Sequence, residues 1–218
     1  MTGTTVLPDF DTVIERVKGC CAADRVAAIG ICGPGGTGKS TLCRRILQEL
    51  PAVARHLDCD LFSAFSYLER QHRIEAAIAS GDPMRRAREE NPLFWYDWDG
   101  IGQAVRSLRA SRSFTLDRAW NRETGMLDAT YTVSLPEEGP ALVLCDCIYL
   151  LHDPVRRWFD ATLLLQANHE QIEERGRRRA QNTATARYME RLAATYTVPY
   201  FSAHAAHADY VHSPTPAR

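Results

Sequence analysis

The chain has no apolar run long enough to cross a bilayer, and Met1-Thr2-Gly3-Thr4-Thr5-Val6-Leu7-Pro8-Asp9 shows no basic stretch leading into an apolar core. A cytoplasmic protein without a membrane partner is therefore expected. Charge surplus is missing too: 26 basic against 27 acidic residues leave a formal net charge of -1, which tells against a nucleic-acid partner. No internal repeat and no linker-like stretch divides the 218 residues, so one domain over 1–218 is the expectation, with only the tail, 214–218, reading as disordered. A homo-oligomer is compatible with such a chain.

Disulfide patterning is absent as well. The seven cysteines are an odd number, and Cys32, Cys59, Cys145 and Cys147 fall on or beside apolar runs of strand type, as reduced core thiols do. Cys145 and Cys147 lack a second Cys/His pair at metal spacing, so no structural metal is expected.

What the chain does have is Gly33-Pro34-Gly35-Gly36-Thr37-Gly38-Lys39-Ser40, set between the apolar run Val26–Cys32 and a helical pattern beginning near Leu42. This is a complete nucleotide-phosphate loop. Its glycines let backbone N–H groups curl around phosphate oxygens, Lys39 reaches toward the β and γ phosphates, and the Ser40 hydroxyl is placed to ligate Mg²⁺. The following helix points its positive end at the anion, with Thr41 in its first turn. Average residue usage would give the bare pattern by chance roughly once in a hundred chains of this length. Nucleoside-triphosphate binding is the expectation.

Around the loop the pattern reads strand, loop, helix, strand. A first helix covers Val13, Ile14 and Val17, capped by Asp9 or Asp11. Leu42, Ile46, Leu47 and Leu50 keep helical spacing until Pro51, and a second strand runs from Val53 to Asp60. Ala141–Asp146 and Ala161–Leu165 are short continuous apolar runs, suited to strands buried on both faces. Asp209–His212 reads as a last, edge strand, and Phe114–Trp120 with Thr130–Leu135 as a β-ribbon joined by a turn at Asn121–Gly125. An α/β/α fold with a mostly parallel five-stranded sheet follows. His204, His207 and His212 read as solvent-facing polar residues, lacking ligand spacing.

A carboxylate ending a parallel strand projects into the crevice where such sheets bind ligands. Asp60 and Asp146 are both read at such ends, each able to touch Mg²⁺ or an acceptor hydroxyl; Asp58 shares their face but sits short of the edge.

The order of motifs then resembles the uridine kinase and phosphoribulokinase family. The stretches concerned are Gly33 to Leu42, Asp60-Leu61-Phe62, Tyr96-Asp97-Trp98-Asp99, Val143 to Leu151, Trp158 to Ala161, the arginine-rich Ile172 to Arg179, and Ala208 to Val211. The resemblance implies an ATP- and Mg²⁺-dependent kinase that phosphorylates a hydroxyl of a small metabolite, a nucleoside or sugar-like molecule. In that picture Asp60 is the general base and Lys39 holds the transferred phosphate. Asp146, standing where the family has Glu, supports Mg²⁺ beside Ser40, with water bridging the shorter reach.

The resemblance also implies a helical lid over about 170–187, in which Arg175 and Arg178 meet the transferring phosphate and Arg179 the nucleotide. The plainer reading is a solvated helix face laced by pairs such as Glu174 with Arg178. Arg187 extends the lid. Acceptor binding is expected across about 91–135, from Asp97, Trp95, Asp117, Arg118, Trp120 and Arg122, with Trp95, Trp98 and Trp120 as a stacking wall. Uridine kinases carry Tyr-Asp-Phe followed by His and Arg there; Leu116-Asp117-Arg118-Ala119-Trp120-Asn121-Arg122 has no histidine, which tells against uridine itself. Two rival readings are a nucleoside-monophosphate kinase and a non-catalytic module that responds to nucleotide.

Overall fold

Seven residues, Val26–Cys32, form a strand (β2) buried along its whole length, and their alternation explains the layers of the molecule. In a computed structural model describing residues 4–21, 25–167 and 183–214, Ala27, Ile29 and Ile31 face one apolar layer while Val26, Ala28 and Cys32 face another. A strand covered on both sides cannot alternate apolar with polar residues, and this one does not.

The remaining strands are β1 (Thr5–Leu7), β3 (Ala54–Asp58), β6 (Ala141–Asp146), β7 (Ala161–Leu165) and β8 (Tyr210–His212), with β4 (Ser113–Ala119) and β5 (Ala129–Ser134) forming a separate antiparallel ribbon. The main sheet has the order β1-β8-β7-β2-β6-β3, and each of its adjacent pairs is parallel. Among the described residues it holds six strands rather than the expected five. The extra one, β1, has three residues, too few to show a period, and exists because β8 supplies its hydrogen-bond partners from the far end of the chain.

For the same reason β8 is not an edge strand, and His212 is buried with Nδ1 2.9 Å from the Leu7 carbonyl rather than facing solvent. His207 is exposed, as expected, and His204 is half-buried between it and Tyr200, with tilted rings whose centroids lie 5.5 Å and 4.7 Å away respectively.

On one side of the sheet lie α1 (Phe10–Cys20) and α2 (Lys39–Glu49), burying Val13, Ile14, Val17, Leu42 and Ile46. Asp9 caps α1, accepting from Thr12 N at 2.8 Å. On the other side α5 (Trp98–Ser111) buries Ile101, Val105 and Leu108. Each such fully buried aliphatic side chain contributes roughly 1.5–3 kcal/mol.

Helices α3 (Tyr67–Ala79) and α4 (Pro83–Glu90) pack on each other ahead of α5, and α6 (Thr183–Leu192) and α7 (Val198–His204) precede β8. Among the described residues, no helix is long and apolar enough to cross a membrane. The expected lid arginines Arg175, Arg178 and Arg179 lie outside the described residues, as does the tail beyond Pro214; Arg187 is exposed on α6.

Candidate active site

All six parallel strands of the sheet run toward one rim, and the polar residues of the site stand there. At the end of β2 the chain turns through Gly33, whose φ of 147° admits only glycine and whose Cβ, if it had one, would collide with the Leu165 carbonyl at the end of β7. Thr37, fully buried, ties the loop shut by donating from Oγ1 to the Pro34 carbonyl at 2.9 Å. Lys39 Nζ donates to the carbonyls of Gly33 (2.9 Å) and Pro34 (3.2 Å), so its ammonium is held at the loop.

Gly38, at φ 99°, is the N-cap of α2 and offers no side chain to the amides of the first turn. The macrodipole and those donors therefore face the loop, the arrangement an anion requires. Gly35, Ser40 and Thr41 are exposed at this end, whereas Gly36 is buried.

Asp146 ends β6 next to this loop. Its Oδ2 accepts from Ser40 Oγ at 2.9 Å and its Oδ1 lies 2.8 Å from His56 Nε2. Burial raises the pKa of Asp146, but the hydrogen bonds and charges of His56, Ser40 and Lys39 outweigh it and hold the carboxyl below its ordinary value. His56 shifts the opposite way. Burial pushes its imidazole down, and the bond to Asp146 with the nearby Asp58 charge more than reverses that, leaving it above its usual value.

The expected second strand stops two residues early. β3 ends at Asp58, opposite Asp146 in the parallel register, and Cys59–Leu61 form a 3-10 turn that carries Asp60 out of the sheet. Asp58, not Asp60, is thus the strand-end carboxylate. The physical reason is its own side chain: Oδ1 accepts from Asp60 N at 3.2 Å, capping the turn and ending the extended backbone.

Asp58 Oδ2 also accepts from Arg122 Nη2 at 2.6 Å. Burial keeps its pKa above the ordinary value despite Arg122, with Asp146 and Asp60 adding repulsion. Asp60 is exposed and, among the described residues, caps nothing and receives one side-chain hydrogen bond, from the Tyr96 hydroxyl at 3.0 Å.

The ribbon closes the other side of the rim. Tyr131 on β5 donates to the His56 carbonyl at 2.8 Å and accepts from Asp58 N at 3.1 Å, while Trp120 N donates to the Leu61 carbonyl at 2.8 Å. These bonds pin the ribbon to β3 and to the turn that follows it. The expected tryptophan wall takes a different form: the Arg70 guanidinium lies 4.6 Å from the Trp95 ring and 5.0 Å from the Trp120 ring, whereas Trp98 packs on Tyr96 and His152. An apolar slot between two indoles attracts the nearest cation.

Asp97 caps α5, accepting from Gly100 N at 2.9 Å, and Asp117 and Arg118 are exposed on β4. His56, Tyr96 and Arg70 escaped the sequence reading; of these only Tyr96 stood in a quoted motif.

No family model matches the chain. A phosphoribulokinase from Synechocystis sp. is 28% identical over 148 residues, 67% of this chain and 40% of that protein. The chain thus spans about two fifths of the curated relative it matches.

Among solved structures, one described as a possible uridine kinase from Bacillus stearothermophilus superposes with a TM-score of 0.65 at 18% identity, covering 93% of this chain and 96% of the other. A candidate fructose transport system kinase from Silicibacter sp. TM1040 gives 0.68 at 17% identity, covering 93% and 98%. The resemblance to the uridine kinase and phosphoribulokinase family is borne out by these matches, and the chain has the three-layer fold of the P-loop kinases.

Proposed function

We propose that this protein is an ATP-dependent kinase that transfers the γ-phosphoryl group to a hydroxyl of a small sugar-like or nucleoside acceptor. The observation that carries this reading is the Ser40–Asp146 hydrogen bond beside the loop, with the exposed carboxylate of Asp60 on the same rim. The match to a phosphoribulokinase supports it.

Phosphoryl transfer leaves a protein little covalent work; it must align two oxygens and neutralise charge spreading over the phosphate. In this reading the amides of the loop and of the first turn of α2 bind the phosphates, and Lys39 exchanges its carbonyl partners for phosphate oxygens. Ser40 and Asp146 are oxygen donors suited to Mg²⁺, which when bound neutralises charge on the phosphates. Asp60 takes the proton from the acceptor hydroxyl as that oxygen attacks, with Tyr96 fixing the orientation of its carboxylate. Arg122 and the ribbon hold the acceptor, and Arg175, Arg178 and Arg179 complete the phosphate contacts.

A nucleoside-monophosphate acceptor would need arginines converging on Asp97, whose carboxylate is engaged by the start of α5. The test is ADP release measured with ATP and Mg²⁺ over a panel of sugars, nucleosides, glycerate, pantothenate and cyclitols. At least one acceptor should raise turnover well above hydrolysis by water. If none does, the reading is wrong and the non-catalytic alternative takes its place.

A further inference from the structure

Behind the Ser40–Asp146 bond, Asp146 also stands beside two side chains, Cys43 and His56, that the proposed nucleotide site does not use. The Cys43 sulfur, a ring nitrogen of His56 and a carboxylate oxygen of Asp146 all lie within 4.8 Å of one another. They come from α2, β3 and β6, and the parallel register that pairs His56 with Leu144 and Asp58 with Asp146 fixes two of the three. Cys43 follows Ser40 by three residues, so both stand on one face of α2.

We propose that Cys43, His56 and Asp146 form a second metal seat, suited to a borderline-soft divalent cation such as Zn²⁺, and that filling it draws Asp146 away from Ser40 and switches phosphoryl transfer off. The binding half stands on this geometry alone; the switching half rests on the function proposed above.

Ligand chemistry separates the two seats. Mg²⁺ takes oxygen donors, which Ser40 and the outer oxygen of Asp146 provide, whereas sulfur and imidazole favour Zn²⁺ over Mg²⁺. Tetrahedral Zn²⁺ with ordinary bond lengths places its ligand atoms about 3.3–3.6 Å apart. The trio therefore needs a small rearrangement, in which Cys43 draws in while His56 and Asp146, now 2.8 Å apart, spread to admit the ion. Three protein ligands leave a fourth position for water, and the partly open His56 side chain, 26% exposed, gives a way in from solvent to the buried Cys43 and Asp146. On binding, the Cys43 thiol gives up its proton to solvent and the metal replaces the direct contact between His56 and Asp146. One carboxylate would then serve two cations, and loading the softer one costs the magnesium seat its anionic ligand.

The test uses the full chain with the half-buried Cys20 and Cys21 replaced by serine, titrated anaerobically with Co²⁺ in the absence of nucleotide. One equivalent should bind, with a thiolate-to-cobalt charge-transfer band and the visible absorption of a tetrahedral ion. Cys43→Ser should remove the charge-transfer band and weaken binding at least about tenfold while keeping Mg²⁺-dependent turnover; His56→Asn should also weaken binding. Zn²⁺ should displace Co²⁺ and inhibit the parent but not Cys43→Ser. Should that variant fail to fold, Cys43→Ala and His56→Asn carry the same comparison.

Absence of a thiolate band, or a band that survives loss of Cys43, overturns the site. A band with unimpaired turnover in Zn²⁺ overturns the switch. If no acceptor is ever phosphorylated, the cobalt spectrum still decides the metal seat, so the two readings fail separately.

Discussion

The two ends of the central sheet are both charged, yet they use charge in opposite ways. At the amino end Asp160, just before β7, accepts from Arg25 at 2.9 Å, Arg109 at 2.8 Å and the Ala28 amide at 2.8 Å. It sits beside a cavity of about 630 Å³ that Arg112 and Arg157 also line. Every oxygen of that carboxylate is committed to holding chain to chain. At the carboxyl end Asp58 is committed in the same manner and Asp146 is shared between Ser40 and His56, side chains that a cation can replace or join, whereas Asp60, among the described residues, keeps a single partner and faces solvent. A carboxylate with spare lone pairs on a fixed turn is available to accept a proton, whereas Asp160, bonded on every side to its own chain, is structural.

The contrast makes measurable statements, and the largest concerns Asp60. Asp60→Ala should lower acceptor phosphorylation about 10²–10⁴-fold with the ATP dissociation constant nearly unchanged, as steady-state kinetics beside equilibrium nucleotide binding would show. A comparable loss of nucleotide affinity would erase the distinction between the two ends.

Asp160→Ala should do the reverse. It strands the Ala28 amide and should cost roughly 2–3 kcal/mol in urea unfolding, most of it from that buried amide, because the two guanidinium partners are half exposed. Activity per folded molecule should hold.

The same substitution sharpens the comparison with pH. Burial raises the pKa of Asp160, but the Ala28 amide, Arg109 and Arg25 more than offset it and leave the carboxyl below its ordinary 3.8. Its folded form binds protons less readily than its unfolded form, so its contribution is complete above that value and is lost as pH falls through the lower, folded one. The stability gap between the parent and Asp160→Ala should therefore be constant near neutrality and shrink below about pH 4.

Tyr131→Phe tests the join between ribbon and sheet. It removes one donor to His56 and one acceptor from Asp58, and should cost about 1 kcal/mol by chemical denaturation. The apparent KM for the acceptor should rise more than that for ATP. The smallest effect belongs to Arg122→Ala, whose ion pair is 60% exposed on the arginine side: stability should move by less than about 1 kcal/mol. A change of acceptor KM would then report binding rather than folding.

How much of this was legible follows from range. The loop from Gly33 to Ser40 was readable because its chemistry lies in eight consecutive residues, and β2, β6 and β7 because buried parallel strands are continuous apolar runs. The end of β3 was misread by two residues because the apolar pattern does not register a side chain folding back on its own backbone, as Asp58 does on Asp60. The tryptophans were visible as a group, but their division was not. Arg70 reaches Trp95 and Trp120 from α3, and no spacing in the chain announces a cation between two rings.

By itself the sequence determined the phosphate loop, the alternation of strand and helix that buries a parallel sheet, and the presence of carboxylates near the strand ends, since each depends on neighbours within one or two turns of chain. Tertiary structure alone decided that β8 lies inside the sheet, that His56 meets Asp146 across 90 residues, and that Tyr131 ties the ribbon to β3 across 75. Such contacts depend on strand order and register. Both are set by how whole layers pack, so no local pattern could specify them.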